Sequence, residues 1–350
     1  MSRSNAREIV MHRSEYFIRR LTLAFLVVLG VTILTFVIAR LVPSNPARLW
    51  LGPRATPEQI EITTTELGLD KPLYQQYLIY LKQVMRGDFG ISLKSRQPIV
   101  NDVRVFLPAT LELVLFSMAI AALVGIPLGV ISSIHRNHII DHIIRFFAVF
   151  NASTPVFWLA LILQLLLVER LHLFPLGGRV SQDVSLFIPI QSITGFYLID
   201  APLTGNWQAF KDALVHLILP GLVLASGSIG IAIRLTRATL IEVLEQKYIT
   251  MAWAFGLNPR LIYYRLALKN AIVPTLIVLG LSFVWSITGA LLVEVIFQWP
   301  GLGNYLTRAV LNFDFPVIVS VTLVVSIFYV IVNLILDLIQ MLIDPRIAVE

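Results

Sequence analysis

Tyr248–Pro274 reads YITMAWAFGLNPRLIYYRLALKNAIVP, a polar, helix-forming stretch set between two long apolar runs. A loop that only joined two membrane helices would not need it. From Leu240 to Phe255 the apolar side chains Ile241, Leu244, Tyr248, Met251, Ala252 and Phe255 recur every three or four residues. Glu242, Glu245, Gln246 and Lys247 fall between them, so the spacing predicts one amphipathic helix. Gly256 suits the left-handed stop of that helix, Leu257 supplies the apolar contact that accompanies such a stop, and Asn258–Pro259 is a cap and first-turn pair for a second helix. Residues 240–269 therefore read as helix, sharp turn, helix.

Working outward, apolar residues make up 57% of the 350-residue chain and charged ones 14%, with a mean hydropathy of +0.81. Neither a soluble globular domain nor a disordered chain has that balance. Apolar runs long enough to cross a hydrocarbon core of about 30 Å occur near 17–41, 109–134, 143–168, 213–236, 271–297 and 316–343. They lack the period-two alternation of a membrane barrel. The expectation is an all-α integral membrane protein with six transmembrane helices. Arg13, Arg19 and Arg20 precede the first run in the manner of a secretory signal, but the run is too long and no small-residue cleavage site follows. The chain has no cysteine, which excludes disulfides, thiolate metal sites and a cysteine nucleophile.

Orientation follows from the short basic loops. Arg3, Arg7, Arg13, Arg19 and Arg20 precede span one, Arg136 lies between spans two and three, and Arg234, Arg237, Lys247, Arg260, Arg265 and Lys269 border the helical loop. Placing all three in the cytoplasm puts both termini there. The segment 42–106 then lies outside, where Thr56-Pro57-Glu58 and Pro72 ahead of Leu73 mark helix starts. So does the Gly-, Pro- and Ser-rich segment 169–212. The net charge of +6 fits topology and anionic membrane lipid, not nucleic acid.

Catalytic motifs are missing. No Gly-x-x-x-x-Gly-Lys-Ser/Thr phosphate loop occurs, so any ATP used is bound by another chain. There is no His-Glu-x-x-His, and Ser226-Gly227-Ser228-Ile229-Gly230 misses the nucleophile-elbow pattern. His135, His138 and His142 share one face if a helix continues past the second span, with Asp141 nearby, a spacing that suits metal ligands; histidines also commonly end helices at a membrane surface. Ionisable groups in or near spans are costly, about 2.5–3.5 kcal/mol at the centre. Glu112 and Glu294 lie near span ends and Asp337 lies deeper with Asn333 a turn before it; all three read first as helix-to-helix anchors. Gly125 and Gly129, and Ser226 and Gly230, allow close helix crossing. The third span is interrupted at Asn151-Ala152-Ser153-Thr154-Pro155, where proline removes a backbone bond that hydroxyls can replace. The fifth carries Ser282, Trp285, Ser286 and Thr288. Asn151, Ser153, Thr154 and these four are the candidate lining of a translocation path, against the plain alternative of kinked packing helices.

The helical loop resembles the cytoplasmic "EAA" loop of permease subunits of ATP-binding cassette importers. Gly256 takes the glycine position and Leu266 and Leu268 the aliphatic ones, while Thr250, Met251 and Ala252 stand in place of Glu-Ala-Ala and Lys269 replaces a proline. The closer likeness is to the dipeptide, oligopeptide and nickel permeases, and it covers nearly the whole chain. It rests on Phe17-Ile18-Arg19-Arg20, Arg40–Ala47, Leu67–Pro72, Arg86–Ser92, Glu294–Gly303 and Asp344-Pro345-Arg346. Met251, Trp253 and Phe255 replace the family's usual Thr, Arg and Lys.

That resemblance implies a permease in a bacterial or archaeal cell membrane, the inner membrane of a Gram-negative cell. It implies a second related permease, one or two cytoplasmic ATPases carrying the ATP and Mg, and an extracytoplasmic binding protein that delivers a dipeptide or oligopeptide. No cofactor is implied in this chain. It also makes 240–269 the ATPase-docking loop, through Tyr248, Thr250, Met251, Ala252, Ala254, Phe255, Gly256, Leu257 and Asn258. Nickel or another small cargo is the alternative within the family. Outside it, a stand-alone secondary transporter would need a coupling-ion site, and few buried carboxylates are available to build one; a membrane enzyme lacks its catalytic constellation.

Overall fold

The computed structural model describes residues 3–41, 47, 51, 55–66 and 68–343. In chain order the helices are α1 (Arg3–Leu41), α2 (Pro57–Glu66), α3 (Leu73–Met85), α4 (Ile99–Ile134), α5 (Ile139–Ser153), α6 (Val156–Leu163) and α7 (Gln182–Phe187). Then come α8 (Tyr197–Leu203), α9 (Trp207–Leu244), α10 (Lys247–Ala254), α11 (Leu268–Ile296), α12 (Leu302–Leu311) and α13 (Phe315–Ile343). Wider π-turns continue α6 over Gln164–Arg170 and lead into α11 over Leu261–Ala267. Among the described residues the only extended pairing is a bridge between Ile91 and Pro98. The Val42–Pro46 part of the opening motif and the closing Asp344-Pro345-Arg346 lie outside the described residues.

Among the described residues five helices are long and apolar enough to cross a membrane, within 18–38, 99–134, 207–244, 261–296 and 315–339. A sixth crossing exists only if α5 and the α6 run, bent by 105° at their junction, count as one. The interruption expected in the third span at Asn151–Pro155 is there, as a sharp bend between two separate helices. Its cause is Pro155: the residue before a proline is pushed out of helical geometry, and Thr154 adopts ψ 124°.

The chain divides into two compact units, residues 107–304 and residues 1–106 with 305–350. In the latter, α1 runs along α13, joined by an Arg20–Asp337 ion pair at 3.0 Å, so Asp337 is a helix-to-helix anchor. Farther along α1, Thr32 and Thr35 meet the hydroxyls of Tyr77 and Tyr80 on α3 at 2.9 and 3.1 Å. Thr56 and Gln59 bond reciprocally at the start of α2, and Pro57 takes the first helical position.

In the unit 107–304, α9 is the core. At a rise of about 1.5 Å per residue its length is about 57 Å, well beyond a hydrocarbon core. Small side chains let its neighbours close in: a Cβ on Gly125 or Gly129 of α4 would strike Ala232 or Thr236, and one on Gly230 would strike the Ala148 carbonyl of α5. Toward α11, the Thr236 and Thr275 hydroxyls meet at 3.2 Å and Thr239 donates to the Ala271 carbonyl. The segment between α6 and α9 has its own small core of Val184, Ala201 and Ala209.

Candidate functional site

The loop after α9 is not one helix from 240 to 255. It breaks at Glu245–Gln246, where Gln246 is extended (ψ 147°), and restarts as α10. The polar run Glu245-Gln246-Lys247 contributes no apolar contact that would hold the helix straight. The stop at Gly256 is as expected. Its φ is +71°, its amide donates to the Trp253 carbonyl, and the Leu257 amide donates to the Ala252 carbonyl. Asn258 caps the next turn by accepting from the Arg260 amide at 2.9 Å.

Burial divides the loop into two faces. Ile249, Ala252, Ile262 and Ala267 are buried against Val130 of α4, Leu240 of α9 and Ala271 of α11. Trp253 and Tyr263 meet edge to face across the turn, and Asn270 donates to the Tyr248 hydroxyl. Outward, Met251 is 59% exposed and Phe255 73%, with Tyr248 and Trp253 also exposed. Thr250, Ala254, Gly256, Leu257 and Asn258 are exposed as well, and of the candidate docking residues only Ala252 faces the core. The result is a turn rigidly seated on three spans that presents an apolar face.

The path candidates are not brought together as one surface. On α11, Ser282 and Ser286 are buried and donate to carbonyls of their own helix, whereas Trp285 and Thr288 are exposed. At the break, the Asn151 amide and the Thr154 hydroxyl donate to the Phe147 and Phe150 carbonyls of their own helix. Ser153 and Thr154 border a concavity otherwise walled by Phe146, Val149, Phe150, Pro155, Phe157 and Trp158.

The histidines do not converge. The helix ends at Ile134 and Asn137 takes φ +65°, so His135 and His138 lie in a turn and bond backbone carbonyls. Among the described residues no group of three His, Cys, Asp or Glu side chains is placed to hold a metal ion.

Glu294 and Glu112, read in the sequence as helix-to-helix anchors, each centre a buried knot whose partners the sequence did not name. Glu294, fully buried, accepts from the Thr110 hydroxyl at 2.6 Å and the Asn304 amide at 3.0 Å. The same Thr110 oxygen accepts from the Leu302 amide, and the Trp299 indole donates to the Ala109 carbonyl. Trp299 therefore sits inside the protein, not at the membrane interface its type suggests. Gly301 and Gly303 leave room for the carboxylate, which a side chain at either position would strike. In the second knot Arg179 pairs with buried Glu112, donates to the Gly195 carbonyl and stacks 3.5 Å above the Tyr197 ring. Glu112 also accepts from the Leu198 amide. An ionisable residue in an apolar run was the available signal for both acids; nothing local names partners 67 or 184 residues away.

The fold and the loop define a multi-pass α-helical membrane protein whose folded helix-turn-helix links two of its spans. The chain belongs to the binding-protein-dependent transport system inner membrane components: that family's model matches residues 125–349, and the model described as "Binding-prot-dependent transport system membrane comp, N-term" matches 13–114. It is thus a multi-pass inner-membrane protein. It is 43% identical to the probable D,D-dipeptide transport system permease protein DdpB of Escherichia coli K12, over 92% of this chain and 94% of that one. The dipeptide transport system permease protein DppB of Alkalihalophilus pseudofirmus is 40% identical over 95% of this chain and 98% of its own length. The oligopeptide transport system permease protein AppB of Bacillus subtilis is 33% identical over 95% and 99%.

Proposed function

We propose that this chain is a permease subunit of an ATP-driven importer, forming with a second permease the membrane path for dipeptides or oligopeptides handed over by an extracytoplasmic binding protein. Cytoplasmic ATPases, holding ATP and Mg, dock on the exposed face of residues 240–269. The observation that carries this reading is that face: Tyr248, Met251, Trp253 and Phe255 stay exposed on a turn whose other side is buried in three spans. An apolar patch held rigidly at the membrane surface is a protein contact awaiting its partner. The names of the relatives supply the cargo class.

The test is gentle purification of the tagged chain from its native membrane, followed by mass spectrometry. Co-recovery of an ATPase with a phosphate-binding loop and of a second permease supports the importer. Recovery alone, even after mild crosslinking through 240–269, returns the protein to the stand-alone transporter class. Uptake of labelled dipeptide, lost on deletion and restored by the gene, separates peptide from nickel as cargo.

A further inference from the structure

Asp141 lies near the start of α5, wholly buried, with every bond it accepts coming from groups that the transport reading leaves unused. Its Oδ1 accepts from Arg237 Nε at 2.7 Å and from the Ser132 hydroxyl at 2.6 Å. Its Oδ2 accepts from Arg237 Nη2 at 2.8 Å and from the Asn137 amide at 3.0 Å. One carboxylate thus joins α4, the turn 135–138, α5 and α9, and it grips α9 through a two-pronged guanidinium contact that fixes direction as well as distance. From that turn Arg136 reaches Glu245 at 2.7 Å, on the joint between α9 and α10. Further along, α5 stays pressed to α9 where Gly230 meets the Ala148 carbonyl and where Ile144 and Ala148 pack on Ile233.

These contacts cover α5 from its first turn to Ala152, where Gly230 also meets the Ala152 side chain. The 105° break at Ser153–Pro155 follows at once, and beyond it α6 packs on both α9 and α11. Movement of α9 therefore carries α5 with it, and the proline break is the joint at which the angle between α5 and α6 can change.

Building on the importer reading, we propose that Asp141 and Arg237 are positioning residues: they make α5 a rigid extension of the coupling loop, so that ATPase movement is delivered to the bend at Ser153–Pro155 and changes its angle. The Arg136–Glu245 pair is the outer strut of the same device.

The chain has no cysteine, so Ile143→Cys and Leu161→Cys, exposed on the two arms of the bend, take spin labels cleanly. In importer reconstituted with its ATPases and second permease, the distance between the labels should change when ATP binds. Asp141→Asn and Arg237→Lys should keep the ATPases bound and hydrolysis within about twofold of the parent, while uptake per ATP falls about tenfold and the distance change is lost. Unchanged uptake per ATP with an unchanged distance response overturns the proposal. Equal falls in hydrolysis and uptake overturn it too, because a pair serving only stability would lower both together. Should the buried substitutions fail to insert, Arg136→Gln and Glu245→Gln at the exposed strut serve instead, with a drop of about threefold in uptake per ATP expected and no drop counting against the proposal. If the parent chain itself binds no ATPase, the importer reading falls and this inference with it.

Discussion

At the scale of single residues, Gly256 and Glu294 have opposite jobs. Space around Gly256 is open, and only its φ of +71° resists a side chain. Gly256→Val should cost about 1 kcal/mol or more of local stability and swing the exposed face out of register. Uptake should be lost while insertion, followed by membrane fractionation, remains normal; normal uptake would refute the docking role. Around Glu294 nothing is open. Glu294→Ala strands the Thr110 hydroxyl and the Asn304 amide in the interior, a loss of about 2–3 kcal/mol. A fall of several degrees in the melting temperature of the detergent-purified protein is the expected reading. Asp200 offers a pH test. Burial alone would raise its carboxyl, but the Thr194 hydroxyl and the amides of Thr194, Ile193 and Gly195 outweigh burial and hold it below the ordinary range. A lowered folded-state value means stability that is present above the unfolded Asp range and disappears as pH falls through the folded one. Hydrogen exchange of residues 193–204 should stay slow through mild acid and quicken only below the ordinary Asp range, with Asp200→Asn fast throughout.

At the scale of elements, the turn within residues 240–269 lies where the sequence places it, while the helix before it does not run unbroken. The turn was legible because Gly256, Asn258 and Pro259 each have a strong local backbone preference. The break at Glu245–Gln246 was not: the apolar period of Ile241, Leu244, Tyr248, Met251 and Phe255 reads on unbroken in the sequence, but the change of direction moves burial to Ile249 and Ala252 and leaves Tyr248, Met251 and Phe255 outside. The two faces of the fifth span misled for a related reason: Ser282, Trp285, Ser286 and Thr288 lie close in number, but only burial shows that the serines turn inward. Long-range pairs such as Asp141–Arg237, 96 residues apart, leave no periodic trace at all. The face that is exposed predicts its own disruption. Met251→Asp or Phe255→Asp, altering side chains that touch no core, should leave the fold intact and reduce ATPase co-purification about tenfold or more.

At the scale of the whole molecule, membrane spans set the topology and basic loops its direction. The basic loops predict cytoplasmic termini, and on that reading Asp183→Cys faces outward and Lys247→Cys inward; both positions are exposed. A membrane-impermeant thiol reagent should label the first in intact cells and the second only after permeabilisation, and the reverse pattern would invert the assignment. The Glu294 knot bears on how such a chain is made. Its partners lie at Thr110 and at residues 302–304, so the hydroxyl waits through the synthesis of 184 further residues before its acceptor exists. Until Asn304 has been added, the polar site on α4 lacks the groups that complete it. Closure of the knot is therefore a late event in synthesis, with the rest of α12 and the whole of α13 still to follow.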